Sequence, residues 1–190
     1  AIFESNSIDE EVFSYPDLSE KNYCRGKGYI ISKGNVSGRL NLTFTSSKKS
    51  TYIEFRDLIG RRTLFLIISE NSINAWDIRN NRKYDQESLL LAFPFFELIK
   101  PNDLINFLWG EIPKIFKDSD NILNNDKIKN GQIQFSSNQT ENGVLINFIS
   151  FNIKNEDQKI ELFIDNRDFD MQYPHLIRKI PESVIPKSES

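Results

Sequence analysis

The feature that most constrains this chain is an alternation of apolar and polar residues with a period of two, broken at short intervals by turn residues. Leu40, Leu42 and Phe44 alternate with Arg39, Asn41 and Thr43, which places the two sets on opposite sides of an extended strand. A strand through Tyr29 and Ile31 precedes it and ends at the turn Lys33-Gly34-Asn35. After the polar turn Ser46 to Ser50, the alternation resumes in Tyr52-Ile53-Glu54-Phe55. Thr63 to Ile68 is a continuous apolar strand, Ile73 to Asp77 another, and Asn80-Asn81 turns the chain again before Tyr84. Strands this short, joined by loops this short, form a meander of antiparallel hairpins.

The middle of the chain changes period. Ser88 to Phe96 is apolar almost throughout, and Lys100-Pro101-Asn102-Asp103 opens a helix, with Pro near its first turn and an acid early. Leu104, Ile105, Phe107, Leu108 and Trp109 follow, and Gly110 ends it. Two short helices over 88–96 and 102–109 pack on the sheet in this reading. Residues 117–129 are polar and rich in Asn and Asp, as a loop would be. Strands return at Ile133 and Phe135, at Val144 to Phe151 and at Ile160 to Ile164, with turns at Asn142-Gly143 and Asn155-Glu156-Asp157. Phe169 to Ile180 reads as a final strand. The expected organisation is an N-terminal segment over 1–22 that packs on the domain, one domain over 23–181, and a flexible polar tail over 182–190.

Composition narrows the function classes. The net charge of −3 supplies no basic field for nucleic acid. The single cysteine, Cys24, excludes an internal disulfide, and there is no Cys/His cluster for zinc. No apolar run reaches the length of a membrane-spanning helix. The only histidine, His175, has no nucleophile constellation near it in sequence. Asp165, Asp168 and Asp170 lack the spacing and closing Glu of a calcium loop. Phe is abundant, at 15 residues, and Phe44, Phe55, Phe65, Phe148, Phe151 and Phe163 fall on the strands. They suit a solid aromatic core and the wall of an apolar cavity equally well, because burial is favourable in either arrangement. Trp76 and Trp109 read as packing residues, with Trp109 at the end of its helix able to flank a cavity mouth.

Three stretches carry a resemblance to a known family. Arg39 to Phe44 with Tyr52 to Gly60 form paired strands ending in an apolar-Gly turn. Ile73 to Tyr84 is a strand and turn in which Asp77 precedes a Tyr. Leu98 to Pro113 holds a proline-started helix that closes in Leu108-Trp109-Gly110-Glu111-Ile112-Pro113. Together, over residues 39–113, they resemble the LolA/LolB family of bacterial lipoprotein carriers, LolB more than LolA. The resemblance implies a mostly β (α+β) fold, a curved antiparallel sheet forming an unclosed β-barrel capped by short helices. It implies a non-enzymatic carrier or acceptor, without cofactor or metal, that binds lipoprotein acyl chains or another lipid in an apolar cavity. Leu42, Phe44, Ile53, Phe55, Phe65, Ile67, Phe107, Trp109, Phe148 and Phe163 are the residues expected to line that cavity. Leu58, Ile59 and Gly60 are the expected membrane-transfer loop. The implied partners are a periplasmic carrier protein and a membrane surface. The implied location is the periplasm or the periplasmic face of the outer membrane, with anchorage through an N-terminal lipid-bearing Cys that these residues do not include.

Two other readings stand beside this one. A cofactor-free enzyme on the same scaffold would need polar groups in the cavity, with Asn41, Glu54, Arg56 and Tyr84 the candidates by residue type. A structural envelope lipoprotein would instead use exposed sheet edges for contact. Likewise, Leu58 and Ile59 could simply plug the end of the sheet. What sets them apart is their place in a tight turn flanked by Arg56, Arg61 and Arg62, the pattern of an apolar tip beside anionic headgroups.

Overall fold

The computed structural model describes residues 2–3, 17–34, 37–70, 72–92, 100–112, 133–153 and 157–186. A short first strand, β1 (Ile2–Phe3), is followed by six strands in sequence: β2 (Tyr23–Gly34), β3 (Gly38–Ser47), β4 (Ser50–Arg56), β5 (Arg62–Ser69), β6 (Ser72–Asp77) and β7 (Arg82–Tyr84). Helices α1 (Gln86–Ala92) and α2 (Pro101–Trp109) come next. Then follow β8 (Ile133–Thr140), β9 (Gly143–Ile153), β10 (Gln158–Phe169), a 3-10 turn over Pro174–Leu176, and β11 (Ile185–Pro186). The eleven strands among the described residues lie in one sheet, in the order β1-β8-β9-β10-β2-β3-β4-β5-β6-β7-β11. The two meanders, β2 to β7 and β8 to β10, join where β10 pairs antiparallel with β2. The sheet is mixed, because β11 runs parallel to β7. It is also open: among the described residues β1 bonds only to β8 at one edge and β11 only to β7 at the other.

The register sorts the side chains. Leu42 lies opposite Phe55, and Phe44 opposite Ile53. These in turn face Leu64 and Leu66. One side of the sheet therefore carries Leu42, Phe44, Ile53, Phe55, Leu64, Leu66 and Ile68. They form one buried cluster with Ile149, Phe151, Ile160 and Leu162 of the other meander and with Leu89, Leu104, Phe107 and Trp109 of the helices. Laid flat, eleven strands would span about 48 Å, whereas helices this short are about 10 to 14 Å long. A single cluster drawing on β2 through β10 and both helices therefore requires the sheet to curl around this face. Two glycines of β2 allow a close approach where β2 meets β10 and β3. A Cβ on Gly28 would overlap the Phe163 carbonyl oxygen, and one on Gly26 would come within 2.6 Å of the Phe44 ring. A β-bulge between Ile164 and Asn166 lies beside them.

Both helices form for local reasons. Asp85 caps α1, its Oδ1 accepting from the Ser88 amide at 2.9 Å while Ser88 Oγ accepts from the Asp85 amide at 3.0 Å. Pro101 starts α2, and Gly110 ends it in the left-handed conformation with φ 87°. The expected first helix over 88–96 begins earlier, at Gln86, and residues 93–99 lie outside the described residues.

The C-terminal region departs from expectation. β10 ends at Phe169, and the expected strand over 169–180 does not form. Asp170, at φ 60°, turns the chain; Asp is one of the few side chains that tolerate this conformation. Its amide donates to the Tyr23 carbonyl at 2.7 Å, and its carboxylate accepts from Lys21 Nζ at 3.1 Å. Residues 171–184 then cross the side of the sheet opposite the helices, with Pro174 in their one helical turn. Residues 182–186, expected as a loose tail, are tied to the domain through buried Val184 and β11. Of the N-terminal segment, β1 joins the sheet and Leu18 is buried.

Candidate functional site

The hairpin between β4 and β5 is built by one carboxylate. Asp57 Oδ1 accepts from the amides of Ile59 at 3.1 Å and Arg61 at 2.9 Å, and Oδ2 accepts from Arg61 Nε at 2.7 Å. The Gly60 amide donates to the Asp57 carbonyl at 3.0 Å, and Gly60 takes φ 84°, which a side chain would resist. Desolvation works against the charged form of Asp57, but the Arg61 bonds prevail and hold its carboxyl below the ordinary range. Arg56 closes the turn by donating to the Gly60 carbonyl at 2.8 Å. The result is a rigid bracket whose apex consists of Leu58 and Ile59, 69% and 75% exposed. A turn needs neither residue to be apolar, so their exposure has no folding rationale.

The ten expected cavity residues divide between the two sides of the sheet. Leu42, Phe44, Ile53, Phe55, Phe107 and Trp109 lie together on the helix-covered side, at most 6% exposed. Phe65 and Ile67 lie opposite the outward-facing Glu54 and Tyr52; Phe65 is fully buried there beneath Arg178, whose guanidinium is 4.9 Å from its ring centroid. Phe148 and Phe163 are also on the opposite side, half-buried. Phe163 stacks on Tyr29 at 4.6 Å and meets Phe148 at 4.6 Å, and Arg39 covers Tyr29 at 3.9 Å. These four residues are therefore not part of the enclosed face. The polar candidates divide as well. Asn41, Glu54 and Arg56 face outward, where buried Glu54 holds Arg56 at 2.8 Å and Arg178 at 3.3 Å. Tyr84 lies on the helix-covered side and donates to Asp77 Oδ2 at 2.9 Å.

A residue that the sequence pattern did not single out organises the enclosed face. Arg167 donates to the carbonyls of Leu108 at 2.6 Å and Phe107 at 2.9 Å, and also to that of Ile146. The first two are last-turn carbonyls of α2; that of Phe107 also accepts from the Gly110 amide at 2.9 Å, and a cation is favourable at that end. Burial lowers the Arg167 guanidinium to about 10 and pushes the neighbouring Cys24 thiol up to about 12. Two further bonds pin the same end of α2. The Ile146 amide donates to the Gly110 carbonyl at 2.9 Å. Trp109 Nε1 donates to Ser46 Oγ at 2.8 Å, and Ser46 shares a buried hydroxyl bond of 2.6 Å with Thr51.

Two surface clefts flank the β3–β4 hairpin at the end of the sheet away from Leu58. One, of about 450 Å³, lies among Tyr23, Thr45, Lys49, Tyr52 and Gln172. The other, of about 360 Å³, lies among Leu18, Lys48, Ile105 and Trp109, so Trp109 does stand at a cleft wall. No group of three or more His, Cys, Asp or Glu side chains able to hold a metal ion occurs among the described residues, and no described helix is long and apolar enough to cross a membrane. No protein-family model matches the chain, and no curated protein matches it.

Proposed function

We propose that this chain is a carrier or acceptor of acyl chains, either those of lipoproteins or those of another lipid, at the periplasmic face of a bacterial outer membrane. Its fold is read as a LolA/LolB-like half-barrel, and its Leu58-Ile59 hairpin as the element that enters the membrane. The carrying observation is the rigid hairpin with two exposed apolar residues at its apex. In support, one face of an open sheet collects the apolar residues beneath two helices. Loading such a closed face requires an element to move. Because α2 is pinned by Arg167 and Trp109, the movable lid in this reading is α1, and α2 is a fixed wall.

The reading is tested by isolating the protein from a bacterial envelope, looking for bound acyl chains by native mass spectrometry, and following transfer of a fluorescent acyl cargo to vesicles. Wild type is expected to carry cargo and deliver it. Leu58→Glu with Ile59→Glu should retain cargo while delivery falls at least tenfold, since charged groups at a bilayer boundary are strongly disfavoured. A wild-type protein that holds no acyl chain under any loading condition would sink the carrier reading.

A further inference from the structure

The chain carries a net charge of −3, yet its arginines are segregated. Six of the nine, Arg39, Arg56, Arg61, Arg62, Arg79 and Arg82, lie in or beside the turns β2–β3, β4–β5 and β6–β7. Consecutive antiparallel strands reverse direction, so these three turns share one end of the sheet, the end that presents Leu58 and Ile59. At the opposite end, the β3–β4 turn carries Lys48 and Lys49 and no arginine, and the β5–β6 turn carries Glu70.

The acids near the tip are already engaged. Glu54 holds Arg56 and Arg178, Asp57 holds Arg61, and Asp77 accepts from Asn80 Nδ2 and the Tyr84 hydroxyl. Asp157 also reaches this end, beside Gly34 on the far side of β3. Arg62 and Arg79 are exposed and take part in no ion pair among the described residues. Arg82 lies opposite Asp77 in the register. These arginines thus form a collar only in the sense that they share the end of the sheet that carries the apolar apex, with Arg62 and Arg79 in no ion pair among the described residues, on an otherwise acidic molecule. Guanidinium is weakly hydrated and matches phosphate oxygens in a bidentate geometry, so arginine suits a layer of lipid phosphates.

We infer that this end of the protein docks on an anionic phospholipid bilayer, with Leu58 and Ile59 in the acyl boundary and the arginine collar on the headgroup phosphates. The inference rests on the membrane reading of the hairpin and adds the lipid class to it. Basic residues near an anionic surface each contribute about fivefold to binding, so removing Arg62 and Arg79 together should cost about 25-fold.

The test is co-sedimentation of the full chain with vesicles of phosphatidylcholine alone and of phosphatidylcholine mixed with phosphatidylglycerol, at low and high salt. Wild type should bind the anionic vesicles much more tightly, and salt should erode the difference. Arg62→Gln with Arg79→Gln should lose about 25-fold on anionic vesicles and almost nothing on neutral ones, with an unchanged unfolding midpoint. Equal wild-type binding to both vesicles, or an unaffected double variant, overturns the collar and leaves the apolar hairpin standing. Wild type that binds neither vesicle overturns both.

Discussion

The two sides of the sheet bury similar residues by different means. The helix-covered side is closed by apolar packing, and the polar ties that hold α2 to the sheet gather at its C-terminal end. Among the described residues the opposite side is closed only in part, by a crossing segment without regular strands that is held by buried Leu176 and Val184 and by the ion pair of Arg178. There Arg178 lies over Phe65 and Trp76 and reaches Glu54. Beyond that segment, the row Phe148, Phe163 and Tyr29 is only half-buried. Apolar content alone therefore does not mark the interior of this protein; what marks it is which face the register turns toward the helices.

The sharpest way to break this comparison is by aromatic truncation on each side. Phe44→Ala and Phe107→Ala remove fully buried rings and should each lower stability by about 3 to 5 kcal/mol. Phe148→Ala and Phe163→Ala remove half-buried, stacked rings, and each should cost about 1 to 1.5 kcal/mol. Urea unfolding measures all four. Equal losses on the two sides would show that the outward row is packed as tightly as the interior.

An intermediate effect is expected at the tie between α2 and the sheet. Arg167→Met keeps the bulk of the side chain but removes the Arg167 donors from Leu108, Phe107 and Ile146, with the Phe107 carbonyl keeping the Gly110 amide, and should cost about 2 to 4 kcal/mol. Trp109→Phe removes the bond to Ser46, which retains Thr51, together with part of a buried ring, and should cost about 1 to 3 kcal/mol. Amide exchange should show the last turn of α2 losing protection in Arg167→Met while β4 and β5 keep theirs. A uniform loss across the sheet would mean that Arg167 supports the whole fold rather than one helix end.

The contrast between the two sides also explains what could be read from the sequence. The strands β3, β4 and β6 and the turns between β2 and β7 were legible because alternation and turn residues are local signals. Pro101 and Gly110 likewise bounded α2. The face of Phe65 and Ile67 was not legible, because Thr63 to Ile68 is apolar on both sides and such a run gives no parity. Phe148 sits in a similar run. Arg167 was hidden for a different reason. It lies among Asp165, Asn166 and Asp168 and reads as a surface residue, and only the bulge after Ile164 turns it inward. The stretch 169–180 has strand-like composition, but Asp170 breaks it through a bond to Tyr23 that lies far away in sequence.

The smallest stability effect is expected at the hairpin apex, where the functional effect should be largest. Leu58 and Ile59 touch water, so Leu58→Ser with Ile59→Ser should move stability by less than about 0.5 kcal/mol. The turn itself depends on Asp57 staying ionised. Its carboxyl is held below the ordinary value of 3.8, so the charged form is favoured by the folded turn. That contribution is fully present at neutral pH and is lost only as pH falls through the lowered value. Amide exchange at Ile59 and Arg61, whose N–H groups Asp57 binds, should therefore stay slow at pH 5 and quicken only below the ordinary carboxylate range, once intrinsic exchange is corrected for. Asp57→Ala, which removes the acceptor, should make both amides exchange quickly at every pH, while Phe44 and its neighbours remain protected. If the serine pair unfolds the protein, the apex is a plug for the sheet end after all, and the distinction between an enclosing face and a contacting tip collapses.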